Sequence, residues 1–472
     1  MKQYLKDKIE NDSVISLIKP YIKGYKAYLV GGFIRDLFLV HDSFDRDLII
    51  EDIDVRDFSE KLAKEIKGYF IELDCENKIY RIVLQDKKNY VDISSPLEND
   101  LNTDILRRDL TINAVVYDFK NSEFIDPAGG IKDLENKVIR GISNQNFIDD
   151  SLRFLRIFRF FSRLGFEIES KLLDFTKENA DKIKYPAKER INVEIMKLFE
   201  GGYAHQALIK MDNAGLLENI FDIVNELKKV PPNLHHHLDL FEHSIETVRQ
   251  IQKYFENASD EVKLHLQDKL FGNCSKIAYL KLAAFLHDIG KPSTWTIEED
   301  TLKHRFIKHD DIGSKIAVSI LKELKFSKKQ ISYIQKMIKY HIYPSSIVSQ
   351  EEVSEKAQMR LFRKMGDDTI DIIILAVADR LSALGPDIEP ETIFKNINSL
   401  NELLLKYLNT RDSIKPLEKL LDGHEIMQIT GVEASIQLGY LINQLKEAQI
   451  SGDVNSKDEA IEFIKQLAVD NV

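Results

Sequence analysis

The chain has 472 residues, 43% hydrophobic and 30% charged, with a net charge of −11. This is the balance of a soluble globular protein of several domains, and no stretch reaches the ~20 apolar residues a membrane span requires. The acidic total argues against diffuse nucleic-acid binding without excluding a local basic surface. Two cysteines, Cys75 and Cys274, exclude a disulfide framework and suit a reducing cytoplasm, as does an N-terminus with no apolar signal core.

Residues 26–30 read as a strand and residues 33–40 as a helix, with Gly31-Gly32 between them. A glycine pair there lets backbone N–H groups approach a phosphate at a helix N-terminus. Asp45 and Asp47 follow, just before a strand over 48–50. Residues i and i+2 of an extended chain share a side, so the two carboxylates form a hard oxygen site for Mg²⁺. Each piece also has a plain structural meaning, a turn and a solvated loop. Neither a Walker loop nor a G-x-G-x-x-G fingerprint is present.

A helix is expected over 57–66, and strands over 80–84, 90–93 and 114–118. Arg107, Arg108, Asp109 and Asn113 fall within seven residues. Arginine forks suit phosphate and ribose oxygens, and Asp109 could accept from a ribose hydroxyl. A capped turn with exposed charges would leave the same pattern.

Residues 147–163 read as one amphipathic helix, with Arg153, Arg156, Arg159 and Arg163 on one face and phenylalanine, leucine and isoleucine on the other. Asp150 and Arg153 are i, i+3 neighbours. A carboxylate accepts and a guanidinium donates, which complements the amino donor and ring-nitrogen acceptor of cytosine and adenine. Uracil and guanine would leave both groups unpaired, at ~1–3 kcal/mol each. The pair therefore suits CTP and ATP, unless it is only an intrahelical salt bridge of ~0.2–0.5 kcal/mol.

From about residue 147 onward the chain reads as nearly all helical. Residues 228–233, with Pro231-Pro232, read as a linker, and His235, His236 and His237 as surface histidines beyond it. Residues 282–291 read as a buried helix ending at Gly290. A His287-Asp288 pair on such a helix is costly unless bound, and imidazole with carboxylate suits Mn, Fe, Ni or Zn. His243, His309, His341 and Asp379 extend the set.

Leu29-Val-Gly-Gly-Phe-Ile-Arg-Asp36, Asp45-x-Asp47, Arg107-Arg-Asp-Leu-Thr-Ile-Asn-Ala114, Asp126-Pro to Asp133-Leu134, Asp149-Asp-Ser-Leu-Arg153 and Ala187-Lys-Glu-Arg-Ile-Asn-Val-Glu194 occur in that order. As an ordered set they closely resemble the class II tRNA nucleotidyltransferase and bacterial poly(A) polymerase superfamily. The resemblance implies template-independent addition of C and A from CTP and ATP to the tRNA 3′ end. It implies Asp45 and Asp47 as catalytic ligands of two Mg²⁺ ions. Arg107, Arg108 and Asp109 would position the nucleotide, and Asp150 and Arg153 would template the base. Gly31, Gly32, Arg35, Asn113, Arg156 and Arg159 complete the expected nucleotide-binding set.

Two departures stand out. Asp149-Asp150-Ser151 replaces the usual Glu-Asp-Pro, and Glu433-Ala434-Ser435 replaces a Gly-Pro of the family's tail. The histidine set resembles the HD metal-dependent phosphohydrolase superfamily, with all six ligand types of its two-metal version present. This implies a second metal centre with phosphohydrolase activity, or else a degenerate domain kept for structure.

The expected fold is α+β: a nucleotidyltransferase head over 1–146, then a helical neck over 147–228, an HD domain over 229–390 and a helical tail over 391–472. The expected setting is the cytoplasm, with tRNA, CTP and ATP as partners and no membrane. Partial CC- or A-adding enzymes, a poly(A) polymerase, and a bifunctional protein uridylyltransferase and uridylyl-removing enzyme are the alternatives.

Overall fold

The computed structural model describes all residues except 1, 233–236, 270, 273, 302, 351–352, 386–388, 415–417 and 470–472. His235, His236 and the end of the expected linker fall outside the described residues. The chain divides into two compact units, Met1–Phe221 and Asp222–Val472.

The first unit is built on a seven-stranded mixed sheet. Its strands are β1 (Ala27–Val30), β2 (Asp45–Ile50), β3 (Tyr69–Asp74), β4 (Ile79–Val83), β5 (Tyr90–Ser94), β6 (Val116–Asp118) and β7 (Glu123–Ile125). Their order is β3-β4-β5-β2-β1-β6-β7, with β2 and β5 parallel and all other pairs antiparallel.

Alternation sorts the two faces. Leu48, Ile50, Ile82, Val91 and Ile93 join a core with Val14, Ile18 and Leu62 from the helices Ser13–Ile22 and Val55–Glu65. Tyr28, Val30 and Ile49 face the other way, onto Leu101 and Ile105 of the helix Leu101–Leu106. Asp45 and Asp47 therefore share the Ile49 face. Arg46 points oppositely and forks onto Asp12 at 2.8 and 2.6 Å. Asp12 also caps the Ser13–Ile22 helix, so one carboxylate fixes the site strand to that helix.

The expected strands and the 57–66 helix are present within a few residues. The aspartates lie inside β2 rather than before it. β3 and β7, the N-terminal helices Lys2–Glu10 and Ser13–Ile22, and a short parallel pair joining Val138–Ile139 to Glu167–Ile168 were not expected.

Among its described residues the second unit forms helices and one hairpin, Trp295–Ile297 with His304–Phe306. Its helices Leu240–Asn257 and Lys328–Tyr340 each open on a capping box, Asp239 with Glu242 and Ser327 with Gln330. The helices Gly423–Thr430, Ile436–Ser451 and Lys457–Val469 carry a separate small core around Ile426, Leu441, Leu445 and Ile464. Among the described residues no helix is long and apolar enough to cross a membrane.

Candidate functional site

Strand register builds an acidic cluster. Val30 lies opposite Asp47 across β1–β2, and Asp47 lies beside Asp92 across the parallel β2–β5 pair. Asp45, Asp47 and Asp92 bring carboxylate oxygens within 4.8 Å of one another. Asp92 was missed in the sequence. Its strand was legible, but only cross-strand pairing reveals its neighbours.

Gly31 closes the cluster from β1. Its φ is +79°, and a Cβ there would lie 2.4 Å from Asp47 Oδ2, so no other residue fits both backbone and carboxylate. Burial, then the charges of Asp45 and Asp92, push the Asp47 carboxyl up to about 7. An all-oxygen donor set with this mutual repulsion fits a hard divalent cation.

The arginine motif lies beside it. Arg108 donates to Asp104 Oδ2 at 3.1 Å and to the Asn113 carbonyl at 3.2 Å, while the Arg107 side chain is 47% exposed. Asp109 is only 4% exposed and accepts from Arg156 Nε (2.6 Å), Leu110 N (2.8 Å) and Asn113 Nδ2 (3.0 Å). Burial raises its pKa, but Arg156 and these donors outweigh that and hold it at about 2. Asp109 is thus held by three protein donors, one of them from the arginine helix. Arg35 is likewise buried, donating to Asn113 Oδ1 at 2.7 Å and to Asp36 Oδ1 at 2.8 and 2.9 Å.

The arginine face closes on carboxylates instead of lying open. Arg156 meets Asp109, Arg163 donates to Asp36 at 3.0 Å, and Arg159 approaches Glu194 at 3.1 Å while stacking 4.0 Å from the Phe160 ring centroid. Glu194 sits on the helix Lys188–Glu200, within the last motif of the ordered set.

The expected single helix over 147–163 is two helices, Asn144–Asp149 and Leu152–Leu164. Asp150 breaks them with extended backbone, φ −139° and ψ 94°. Its Oδ1 accepts from Leu152 N at 3.3 Å, a local bond that favours a helix start over a helix interior. Asp150 Oδ2 accepts from Arg190 Nη2 at 2.7 Å. Arg153 Nη1 donates instead to the carbonyls of Arg107 (2.7 Å) and Asn146 (3.0 Å). The two residues thus remain neighbours without forming an intrahelical salt bridge. Arg190, missed as a site residue, lies in the Ala187 to Glu194 motif.

In the second unit the six expected ligands converge. His243 lies in the helix Leu240–Asn257 and Asp379 in Thr369–Ser382, while His309 opens His309–Glu323. His287 and His341 follow the helices Lys276–Leu286 and Lys328–Tyr340, so the first helix ends before the His-Asp pair, not at Gly290. Nδ1 of His287, His309 and His341 lies 2.7–2.8 Å from the carbonyls of Ala284, Phe306 and Ile338. These contacts place the ring proton on Nδ1 and leave the Nε2 lone pairs facing inward.

Asp288 divides the set. Its Oδ2 is 3.2 Å from His287 Nε2 and 3.5 Å from His243 Nε2, and its Oδ1 is 3.3 Å from His309 Nε2 and 3.6 Å from His341 Nε2. Asp379 Oδ1 is 3.1 Å from His243 Nε2. Asp288 Oδ1 is buried without a hydrogen-bond partner, the state expected of a carboxylate built for a cation. Lys291 Nζ balances Oδ2 at 2.6 Å. Gly290 is needed for closure, since a Cβ there would lie 2.1 Å from the His309 carbonyl.

Comparisons with known proteins match three segments of the chain. Residues 27–140 match the poly A polymerase head domain, 165–228 a probable RNA- and SrmB-binding site of polymerase A, and 240–384 the HD domain. An A-adding tRNA nucleotidyltransferase of Deinococcus radiodurans is 28% identical over 449 residues, covering 94% of this chain and 95% of that protein. A multifunctional CCA protein of Haemophilus influenzae is 30% identical over 327 residues, covering 66% of this chain and 73% of that protein. In fold, the chain is similar to the Thermotoga maritima CCA-adding enzyme solved with tRNA, at a TM-score of 0.59 and 19% identity over 98% of each chain. Carrying the head, the RNA-binding segment and the HD domain in that order, the chain belongs to the class II CCA-adding tRNA nucleotidyltransferases with an HD domain.

Proposed function

We propose that this enzyme adds C and A from CTP and ATP to the 3′ end of tRNA. The observation that carries the reading is the pairing of a three-carboxylate oxygen site with neighbouring Asp150 and Arg153, the first accepting from Arg190 and the second donating to backbone carbonyls. Asp45, Asp47 and Asp92 would hold Mg²⁺. When bound there, it supplies Lewis acidity to the attacking 3′-hydroxyl and neutralises charge on the leaving pyrophosphate.

The chain's own residues supply placement. Arg107 and Arg108 offer donors to the triphosphate from a turn braced by Asp104. Asp109, Asn113, Arg35 and Arg156 form the buried frame that holds this turn. Asp150, held by Arg190, would accept from a base amino group with its remaining lone pairs, and Arg153 would leave the Arg107 carbonyl for a ring nitrogen. Both contacts work for cytosine and adenine and fail for uracil and guanine.

The test is extension of tRNAs lacking three, two or one terminal nucleotides, with labelled CTP, ATP or both. Addition of CC from CTP and of the final A from ATP is expected. Extension only of tRNA ending in CC, by one A, would mark a partial A-adding enzyme, and extension that stops at CC a partial CC-adding enzyme, the two activities that relatives of matching length carry. No extension of any tRNA would overturn all three.

The HD centre supports a separate reading, hydrolysis of phosphate esters at a transition-metal pair. His243, His287, Asp288, His309, His341 and Asp379 would hold the metal, which would supply Lewis acidity to a phosphate ester.

A further inference from the structure

A second layer of side chains surrounds the three carboxylates, and two of its members lie on β4 and β5. Arg81 is opposite Asp92 in the β4–β5 register. Its neighbours Tyr80 and Ile82 point into the core, so Arg81 stands on the carboxylate face and takes no part in that core. Its guanidinium forks onto Asp92, Nε to Oδ1 at 2.7 Å and Nη2 to Oδ2 at 2.7 Å. Its Cζ also lies over the Tyr90 ring, 3.9 Å from the centroid. Tyr90 donates its hydroxyl to Asp45 Oδ1 at 3.2 Å. One chain of contacts therefore runs from Asp45 through Tyr90 and Arg81 to Asp92, linking the two outer carboxylates of the cluster.

We infer that Arg81, backed by Tyr90, is a positioning residue that holds Asp92 as the third carboxylate of the cation site. This rests on the reading of Asp45, Asp47 and Asp92 as that site. Three carboxylates within 4.8 Å repel and would splay without a cation. A bidentate fork neutralises one of them and fixes its plane, while each oxygen keeps a second lone pair for a cation. The aromatic ring beneath restrains the guanidinium, and its hydroxyl ties the same unit to Asp45. Lysine cannot replace this arrangement, because a single ammonium neither forks nor stacks as a planar group. The alternative is a rival role, in which Arg81 occupies Asp92 and must be expelled before a cation binds. The two roles differ in sign.

The experiment is Mn²⁺ titration of the full chain followed by electron paramagnetic resonance. An Asp45→Asn variant identifies the component that belongs to this site, separating it from the histidine centre. Arg81→Lys and Arg81→Gln should each weaken that component by about 10- to 100-fold, the usual effect of losing an outer partner of a metal ligand. Tyr90→Phe keeps the ring and should weaken it less. Melting with and without Mn²⁺ separates positioning from general damage. Positioning shrinks the cation-induced rise in melting temperature, whereas a purely structural role lowers both midpoints equally.

Unchanged affinity in both Arg81 variants, equal lowering of both midpoints, or tighter binding in Arg81→Gln would overturn the inference. If Asp45→Asn removes no Mn²⁺ component, the cation-site reading itself fails and the inference falls with it.

Discussion

Asp47 shows how one side chain carries the cost of the site. Burial and two neighbouring carboxylates hold its carboxyl near 7, and Arg108 and Arg81 offset only part of this. An unfolded aspartate releases its proton near ~4. Between pH ~4 and about 7 the folded chain therefore keeps a proton that the unfolded chain has lost. The contribution of Asp47 to the stability of the cation-free protein falls as pH rises through that window and levels off above it. Asp47→Asn removes this titration. The melting temperature of Asp47→Asn minus that of the wild type should increase from pH 4 to 7 and then remain constant. Differential scanning calorimetry in chelator reads this, and a difference that does not change with pH would contradict it.

At the scale of elements, the sequence shows most where a pattern is local. Gly31-Gly32 with the β2 aspartates is legible because turn and alternation each span only a few residues. The break at Asp150-Ser151 is not, because the apolar residues Phe147 and Ile148 before it join the pattern after it, with no proline or glycine to mark the stop. β3 was hidden for a related reason: as an edge strand it is largely exposed, so no alternation of burial is imprinted on Tyr69–Asp74. Partners that meet only through folding, such as Asp92 with Asp47 or Glu194 with Arg159, leave no mark on spacing.

The Arg190–Asp150 contact is of this last kind, and it bears on base selection. Arg190 is 54% exposed and Asp150 29% exposed, so solvent screening limits the pair to ~1 kcal/mol or less. Arg190→Ala should leave global stability nearly unchanged. It should reduce the preference for CTP over UTP by up to about five-fold, because Asp150 is no longer held in its accepting orientation. Competition assays with mixed nucleotides on tRNA lacking its last three residues measure the ratio. An unaltered ratio would show that Asp150 needs no such brace.

Across the whole molecule, two candidate cation sites of opposite chemistry belong to separate units. Asp45, Asp47 and Asp92 all belong to Met1–Phe221, and the histidine set belongs wholly to Asp222–Val472. The first offers only hard oxygens and the second four imidazole nitrogens, so the two should sort cations by type: Mg²⁺ in the head and a transition metal in the HD centre. His309 allows a selective test. Its side chain is 13% exposed, against 1% or less for His243, His287 and His341, so replacing it disturbs packing least. It also serves only the Asp288 Oδ1 side of the centre. His309→Gln should lower tightly bound transition metal from about two ions per chain to about one, as measured by elemental analysis after dialysis. Hydrolysis of a simple phosphate monoester should fall by at least about ten-fold. Tied to neither Asp45 nor Asp47, tRNA extension at saturating Mg²⁺ should stay at the wild-type rate. Loss of extension in parallel with the metal would show that the two centres do not act independently, and an unchanged metal content would remove His309 from the ligand set.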